Sequence, residues 1–194
     1  MVIMKGIFDR LKDRGYRVEK YYWTLQTNEA WDQFRKHGFI VGSSEFSGFS
    51  EQYKWMMKQM SIRLNKYNNE YPIWVWLKKP DMRTGGFFRR GTRCVRIQLN
   101  LNEEDVLVSD FMDWHCVLNN NYLSDNEQDW DEYIFAEDNG IDNDEIKQKS
   151  WEKIFHWNRI RDVEWEGTEE RVLQGVTGKI ELNKIMNVEH FIAR

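Results

Sequence analysis

The chain has 194 residues, 28 Lys and Arg against 32 Asp and Glu, a net charge of −4 and only two cysteines. Hydrophobic residues at 41% and aromatics at 15% exclude disorder of the whole chain. A mean hydropathy of −0.77, without any apolar run of membrane-spanning length, excludes a transmembrane helix. Cys94 and Cys116 can build neither a disulfide framework nor a metal-ligand spacing. The length suits one domain with a sizeable core. The charge-interrupted stretch Met1–Lys20 does not read as a secretory signal, so a cytoplasmic protein is expected.

Residues 1–20 read as a short extension, and 21–194 as a single α+β domain with a mixed or mostly antiparallel sheet. Tyr21-Tyr22-Trp23-Thr24-Leu25-Gln26 is aromatic and β-prone, a first strand. Thr27 then caps a helix with an apolar face of Ala30, Trp31 and Phe34, ended by Gly38. Phe39-Ile40-Val41 is a short strand. A second helix spans about 50–65, with Tyr53, Met56, Met57, Met60 and Leu64 at helical spacing as core packing. Ile73 to Leu77 is a Trp-rich strand. Val95, Ile97, Leu99 and Leu101 alternate with Arg96, Gln98 and Asn100, which predicts a half-buried strand. Ser109 is placed as the cap of a helix carrying Phe111, Trp114, His115, Leu118 and Tyr122 along one stripe. Asp142 as N-cap, Glu145 at N3 and an Ile141/Ile146 staple predict a further helix presenting Trp151, Ile154 and Phe155. Lys179 to Leu182 and Val188 to Ala193 close the chain as strands.

The charge is unevenly spread. From Ser124 to Ile146 there are ten acidic residues and no Lys or Arg, which leaves 28 basic against 22 acidic residues, a net of +6, elsewhere. This acidic insertion, about 124–145, reads as a solvated loop pinned by Trp130, Tyr133, Ile134 and Phe135; the sharper alternative is that it screens the basic segment. Lys78, Lys79, Arg83, Arg89, Arg90, Arg93 and Arg96 are crowded into one stretch with Asp81 as its single acid. Such a segment, broken by Thr84-Gly85-Gly86, is either a solvated loop or a contact for phosphates.

No glycine-rich nucleotide loop, HExxH, CxxC or GxSxG is present, and His37, His115, His156 and His190 lack metal-ligand spacing, so no metal is expected. Three polar clusters beside strands remain. Thr24 and Gln26 share one face of the first strand, with Trp23 and Leu25 on the other. Ser109 and Asp110 precede His115 and Asn119, which lie four apart on neighbouring turns; His115 is either a satisfied core histidine or a titratable one. Glu181, between Ile180 and Leu182, is either plain surface or the floor of a cleft.

At Trp23-Thr24-Leu25-Gln26, Pro72-Ile73-Trp74-Val75-Trp76, Lys79-Pro80-Asp81-Met82-Arg83, Leu107-Val108-Ser109-Asp110-Phe111 with Trp114-His115, and Phe191-Ile192-Ala193-Arg194, the chain resembles an uncharacterised bacterial domain family. More distantly, the order of elements resembles the ADP-ribosyltransferase superfamily, with an aromatic first strand, a helix closed by Gly38, and a late strand bearing Glu181. That resemblance implies NAD as substrate, Glu181 as the catalytic carboxylate, and Trp23, Thr24, Gln26 and Arg83 as contacts to NAD. Trp23-Thr24 stands where the superfamily has a His or Arg. Ser109 or Tyr53 stands at its middle position, and Trp74 or Trp76 offers a stacking surface. It further implies transfer of ADP-ribose to nucleic acid or protein by a toxin or defence effector, with an antitoxin as partner. A reading from a different class is a non-enzymatic module that grips single-stranded nucleic acid, nucleotide or peptide with the Trp-rich strand and the basic loop. The discriminator is whether Glu181 shares a cleft with Thr24 or Gln26.

Overall fold

The computed structural model describes residues 19–44, 48–83, 86–141, 143–160, 162–168 and 170–194. The N-terminal extension up to residue 18, Thr84-Gly85 and Asp142 lie outside the described residues. The fold is α+β. A six-stranded sheet is built from β1 (Glu19–Thr27), β3 (Ile73–Trp76), β4 (Arg93–Asn102), β5 (Leu107–Asp110), β6 (Leu173–Thr177) and β8 (Ile185–Ile192), in the order β5-β6-β3-β1-β4-β8. β2 (Phe39–Ile40) and β7 (Ile180–Glu181) form a separate two-stranded ladder. The ladders β1–β3, β1–β4, β4–β8 and β2–β7 are antiparallel. The helices are α1 (Asn28–His37), α2 (Ser50–Arg63), α3 (Phe111–Leu118), α4 (Glu127–Asp138), α5 (Asp144–Ser150) and α6 (Val163–Glu166).

The chain parses into two compact units. One holds the described residues up to Gly48 with Tyr53–Leu107 and Gly175–Arg194, and the other holds Phe49–Gln52 and Val108–Gln174. In the first, the strand alternation is as the sequence predicts. Tyr22, Thr24 and Gln26 lie opposite Leu99, Ile97 and Val95 and face the core with them. Phe34 of α1, Met56 and Met60 of α2, and Val75 are buried in the same unit; each such side chain stabilises the fold by roughly 1.5–3 kcal/mol. α1 begins where Thr27 accepts a hydrogen bond from the Ala30 N–H and ends where the Gly38 N–H reaches the Phe34 carbonyl.

In the second unit Trp114, Val117, Leu123, Tyr133, Trp151 and Ile154 form the core. Three sequence expectations are corrected here. The cap of α3 is Asp110, not Ser109: the Asp110 carboxylate accepts from the N–H groups of Met112 and Asp113, and Ser109 belongs to β5 with its side chain buried. A carboxylate reaches two orphan donors and favours the positive end of the helix, where a hydroxyl would do less. The acidic insertion is not a loop. Asn126 caps α4, Glu127 and Asp129 lie in its first turn, and Tyr133 buries against Tyr122 in a stack 4.3 Å apart. Finally, α5 starts at Asn143, which makes no side-chain cap, and Ile141 and Ile146 stay more than half exposed, so they form no buried staple. Trp151 and Ile154 are buried as predicted, on a 3₁₀ turn (Trp151–Phe155) that follows α5.

Candidate functional site

The strand register decides what β1 can present. Thr24 is 1% exposed, its hydroxyl donates to the Trp74 carbonyl, and the Gln26 amide donates to that hydroxyl. Both are thus committed to the core side of the sheet. The opposite face carries Trp23 paired with Trp76 and Gln98, and Arg96 paired with Glu189. The segment after β3 folds back on this face. Pro80 is buried with its carbonyl accepting from Arg96, Lys79 reaches Glu189 at 2.7 Å, and the Phe87 ring meets Trp76 edge-on at 5.6 Å. Trp74 is tied as well, its indole N–H donating to the Tyr53 hydroxyl at 3.0 Å while Tyr53 stacks on Tyr71.

The basic segment separates into two populations. Lys79 and Arg96 share Glu189, and Arg83 is bound to Asp81 through both Nε and Nη2. That hydrogen-bonded pair pulls the Asp81 carboxyl down to about 2. Arg89, Arg90 and Arg93 are exposed and have no carboxylate partner among the described residues. Their backbone is held firmly all the same. The Thr92 N–H and hydroxyl both donate to the Arg89 carbonyl, closing a tight turn whose third residue, Gly91, has φ 85°, where glycine is favoured. Gly91 N–H donates to the Ala193 carbonyl, and Ala193 N–H donates to that of Thr92. Phe87, 37% exposed, stands on the same segment.

Glu181 is exposed on β7, opposite Phe39, with its carboxylate 3.5 Å from the Lys179 ammonium. It lines a cleft of about 310 Å³ together with Lys66, Tyr67, Glu70, Asn102 and Lys184 among others. Neither Thr24 nor Gln26 lines it. Thr24 lies opposite Ile97, five residues along β4 from Asn102, on the order of 16 Å of strand. Arg83 and Trp23 are likewise not among its walls.

In the second unit, Asp110 belongs to a buried ion cluster. Arg171 donates to Asp110 at 3.0 Å, to Asp113 at 3.1 Å and to Glu166 at 2.6 Å, while Arg159 donates to Asp113 at 2.9 Å and to Glu166 at 3.2 Å. The five side chains are between 3% and 14% accessible. His115 and Asn119 stand apart from this cluster in what they bond. His115 is exposed, off the buried stripe of Trp114 and Val117, with Nδ1 at 2.8 Å from the Phe111 carbonyl. The Asn119 amide donates to the His115 carbonyl at the end of α3. The sequence reading missed Arg159, Glu166 and Arg171, and also Lys66 and Lys184 of the cleft. Their residue types are ordinary, and only tertiary folding brings them together. Cys116 is no reactive thiol: burial, with Asp113 nearby, pushes it up to about 11. No group of three metal-ligating side chains occurs among the described residues, and no helix among them is long and apolar enough to cross a membrane.

Comparison with curated proteins and with solved structures finds no match. The ADP-ribosyltransferase resemblance therefore rests on the order of elements alone. A family model does match residues 21–173, from β1 to the first residue of β6, and takes in four of the five sequence segments singled out above. On that match the chain belongs to the family described as Domain of unknown function (DUF3841).

Proposed function

We propose that this chain binds single-stranded nucleic acid through the turn that carries Arg89 and Arg90 and the adjoining first residue of β4, Arg93, with Phe87 as a stacking surface. One observation carries the reading: three exposed guanidiniums without a carboxylate partner among the described residues, on and beside a turn fixed by backbone hydrogen bonds. A guanidinium offers a planar fork of donors that matches phosphate oxygens. Phe87, exposed on the same segment, offers a ring to the face of an unstacked base, which a duplex does not present. The test is fluorescence anisotropy with a labelled oligonucleotide over a range of salt concentrations. The triple variant R89Q/R90Q/R93Q is expected to bind weakly and to lower the slope of log affinity against log salt by about two. Unchanged affinity and slope would remove the reading.

A second reading keeps ADP-ribose transfer from NAD to a nucleic acid or protein, as a toxin or defence effector that needs an antitoxin. Glu181, exposed in a cleft, favours it, since a carboxylate at that kind of position stabilises positive charge developing on a ribose. Against it, Trp23, Thr24, Gln26 and Arg83 do not surround that cleft, so contacts to NAD would fall to the cleft's own walls. Thermal unfolding with and without NAD tests the binding, since a ligand of the folded state raises the midpoint. Turnover of NAD that survives Glu181→Gln would defeat the assigned role.

A further inference from the structure

The cleft of about 310 Å³ in the first unit has the size of a small-ligand site, and its walls mix apolar side chains such as Leu64, Leu101 and Ile180 with charged ones. Two of its walls approach each other closely. A Cβ built on Gly178 would lie 2.8 Å from Glu70 Oε2 and 3.1 Å from the Tyr67 ring, so the turn from β6 to β7 lies flat on these two residues. Six charges line it, and they are not equally occupied. Glu70 Oε2 accepts from the Asn68 N–H at 3.1 Å, and Asp105 Oδ2 accepts from the Asn102 amide at 2.8 Å, so both carboxylates are used to fix the chain. The ammoniums are looser. Lys66 is 4.0 Å from Asp105, Lys179 is 3.5 Å from Glu181, and Lys184 has no carboxylate partner among the described residues. Three ammoniums with nine N–H donors between them thus line one cleft with no charge partner nearer than 3.5 Å.

We propose that this cleft binds a phosphorylated sugar. The phosphate sits against Lys66 and Lys184, where the unfilled donors are, because a dianion satisfies several N–H groups at once and gains charge-assisted hydrogen bonds. Glu181 repels a phosphate but accepts hydrogen bonds from hydroxyls, so the sugar lies toward Glu181 and Lys179. The site shares Glu181 with the transferase reading and requires no turnover, so the two can fail separately.

Calorimetric titration with ribose 5-phosphate, pyrophosphate and ribose is the test. Ribose 5-phosphate is expected to bind saturably, and ribose alone to show no heat. Lys66→Gln with Lys184→Gln should weaken ribose 5-phosphate by about tenfold or more, the effect of losing charge-assisted contacts to phosphate. Lys184→Gln alone, which breaks no ion pair, gives the same direction in a protein whose fold is undisturbed, as checked by its unfolding midpoint. Glu181→Gln should weaken ribose 5-phosphate and leave pyrophosphate unchanged or tighter. Absence of saturable binding by ribose 5-phosphate, or binding indifferent to both lysine changes, overturns the proposal. Binding of ribose 5-phosphate without any NAD turnover supports it while removing the transferase reading.

Discussion

Arginine plays two opposite parts in this molecule. In the turn at 89–93 the guanidiniums stand in water and meet no carboxylate among the described residues. In the second unit Arg159 and Arg171 are 14% and 11% accessible, and both terminal nitrogens of each donate to carboxylates of Asp110, Asp113 or Glu166. Desolvation explains the contrast. A guanidinium taken out of water is tolerated when its charge is answered locally, as it is here at the terminal nitrogens of both arginines; the Arg159 Nε makes no hydrogen bond among the described residues and has only the Asp125 carboxylate at 3.4 Å. A guanidinium left in water adds little to stability and keeps its donors available. Basic residues are therefore candidates for binding in proportion to what the fold has not already spent on them.

The largest effect is expected where the cluster is cut. Arg171→Ala leaves Asp110, Asp113 and Glu166, all at most 12% accessible, with Arg159 as their remaining arginine. Breaking a buried pair by removing one partner costs roughly 3–5 kcal/mol, read as a fall in the urea midpoint. The R89Q/R90Q/R93Q protein, measured in the same way, should stay within about 0.5 kcal/mol of the parent, since surface changes away from packed features do little. A loss below about 1 kcal/mol for Arg171→Ala would break the comparison, because it would mean that the buried charges relax into solvent without it.

What was legible in the sequence follows the range of the interactions involved. β4 could be read because its alternation is a local pattern, and α1 because Thr27 and Gly38 act on their own helix. α4 was misread because its apolar side chains scatter around the helix: Tyr133 is buried while Phe135 is 71% exposed, so the acidic charges dominated the reading. β6 was missed because it carries Gln174 and Gly175, both buried, in a position that favours large apolar residues. A Cβ on Gly175 would fall 2.5 Å from Val106, so that glycine answers to a neighbour distant in sequence. The ion cluster is invisible for the same reason, since Arg171 meets Asp110 across 61 residues of chain. For the candidate site, the sequence singled out the basic segment and Glu181 by residue type. It could not show that Asp81 and Glu189 engage three of the seven basic residues of that segment, or that Thr24 turns into the core.

Glu189 lies between the two extremes and gives an intermediate effect that depends on pH. It is 36% accessible and joins Lys79 and Arg96, of which Arg96 is 14% accessible. The hydrogen bond from Lys79, and then that from Arg96, hold its carboxyl below the usual carboxylate range. A carboxyl with a lowered folded-state pKa contributes stability that is complete above its unfolded value of 4.5 and is lost as the pH falls through the folded value. Glu189→Gln should therefore cost about 1 kcal/mol or less at neutral pH, because a partly exposed pair is screened by solvent. The gap between the two proteins should narrow on acidification below 4.5, in urea melts recorded across that range. A gap that stays constant with pH would assign the loss to packing around Arg96 rather than to charge. It would also place Glu189 with the solvated charges of the turn, and leave Lys79 as free to meet a phosphate as Arg89, Arg90 and Arg93 are.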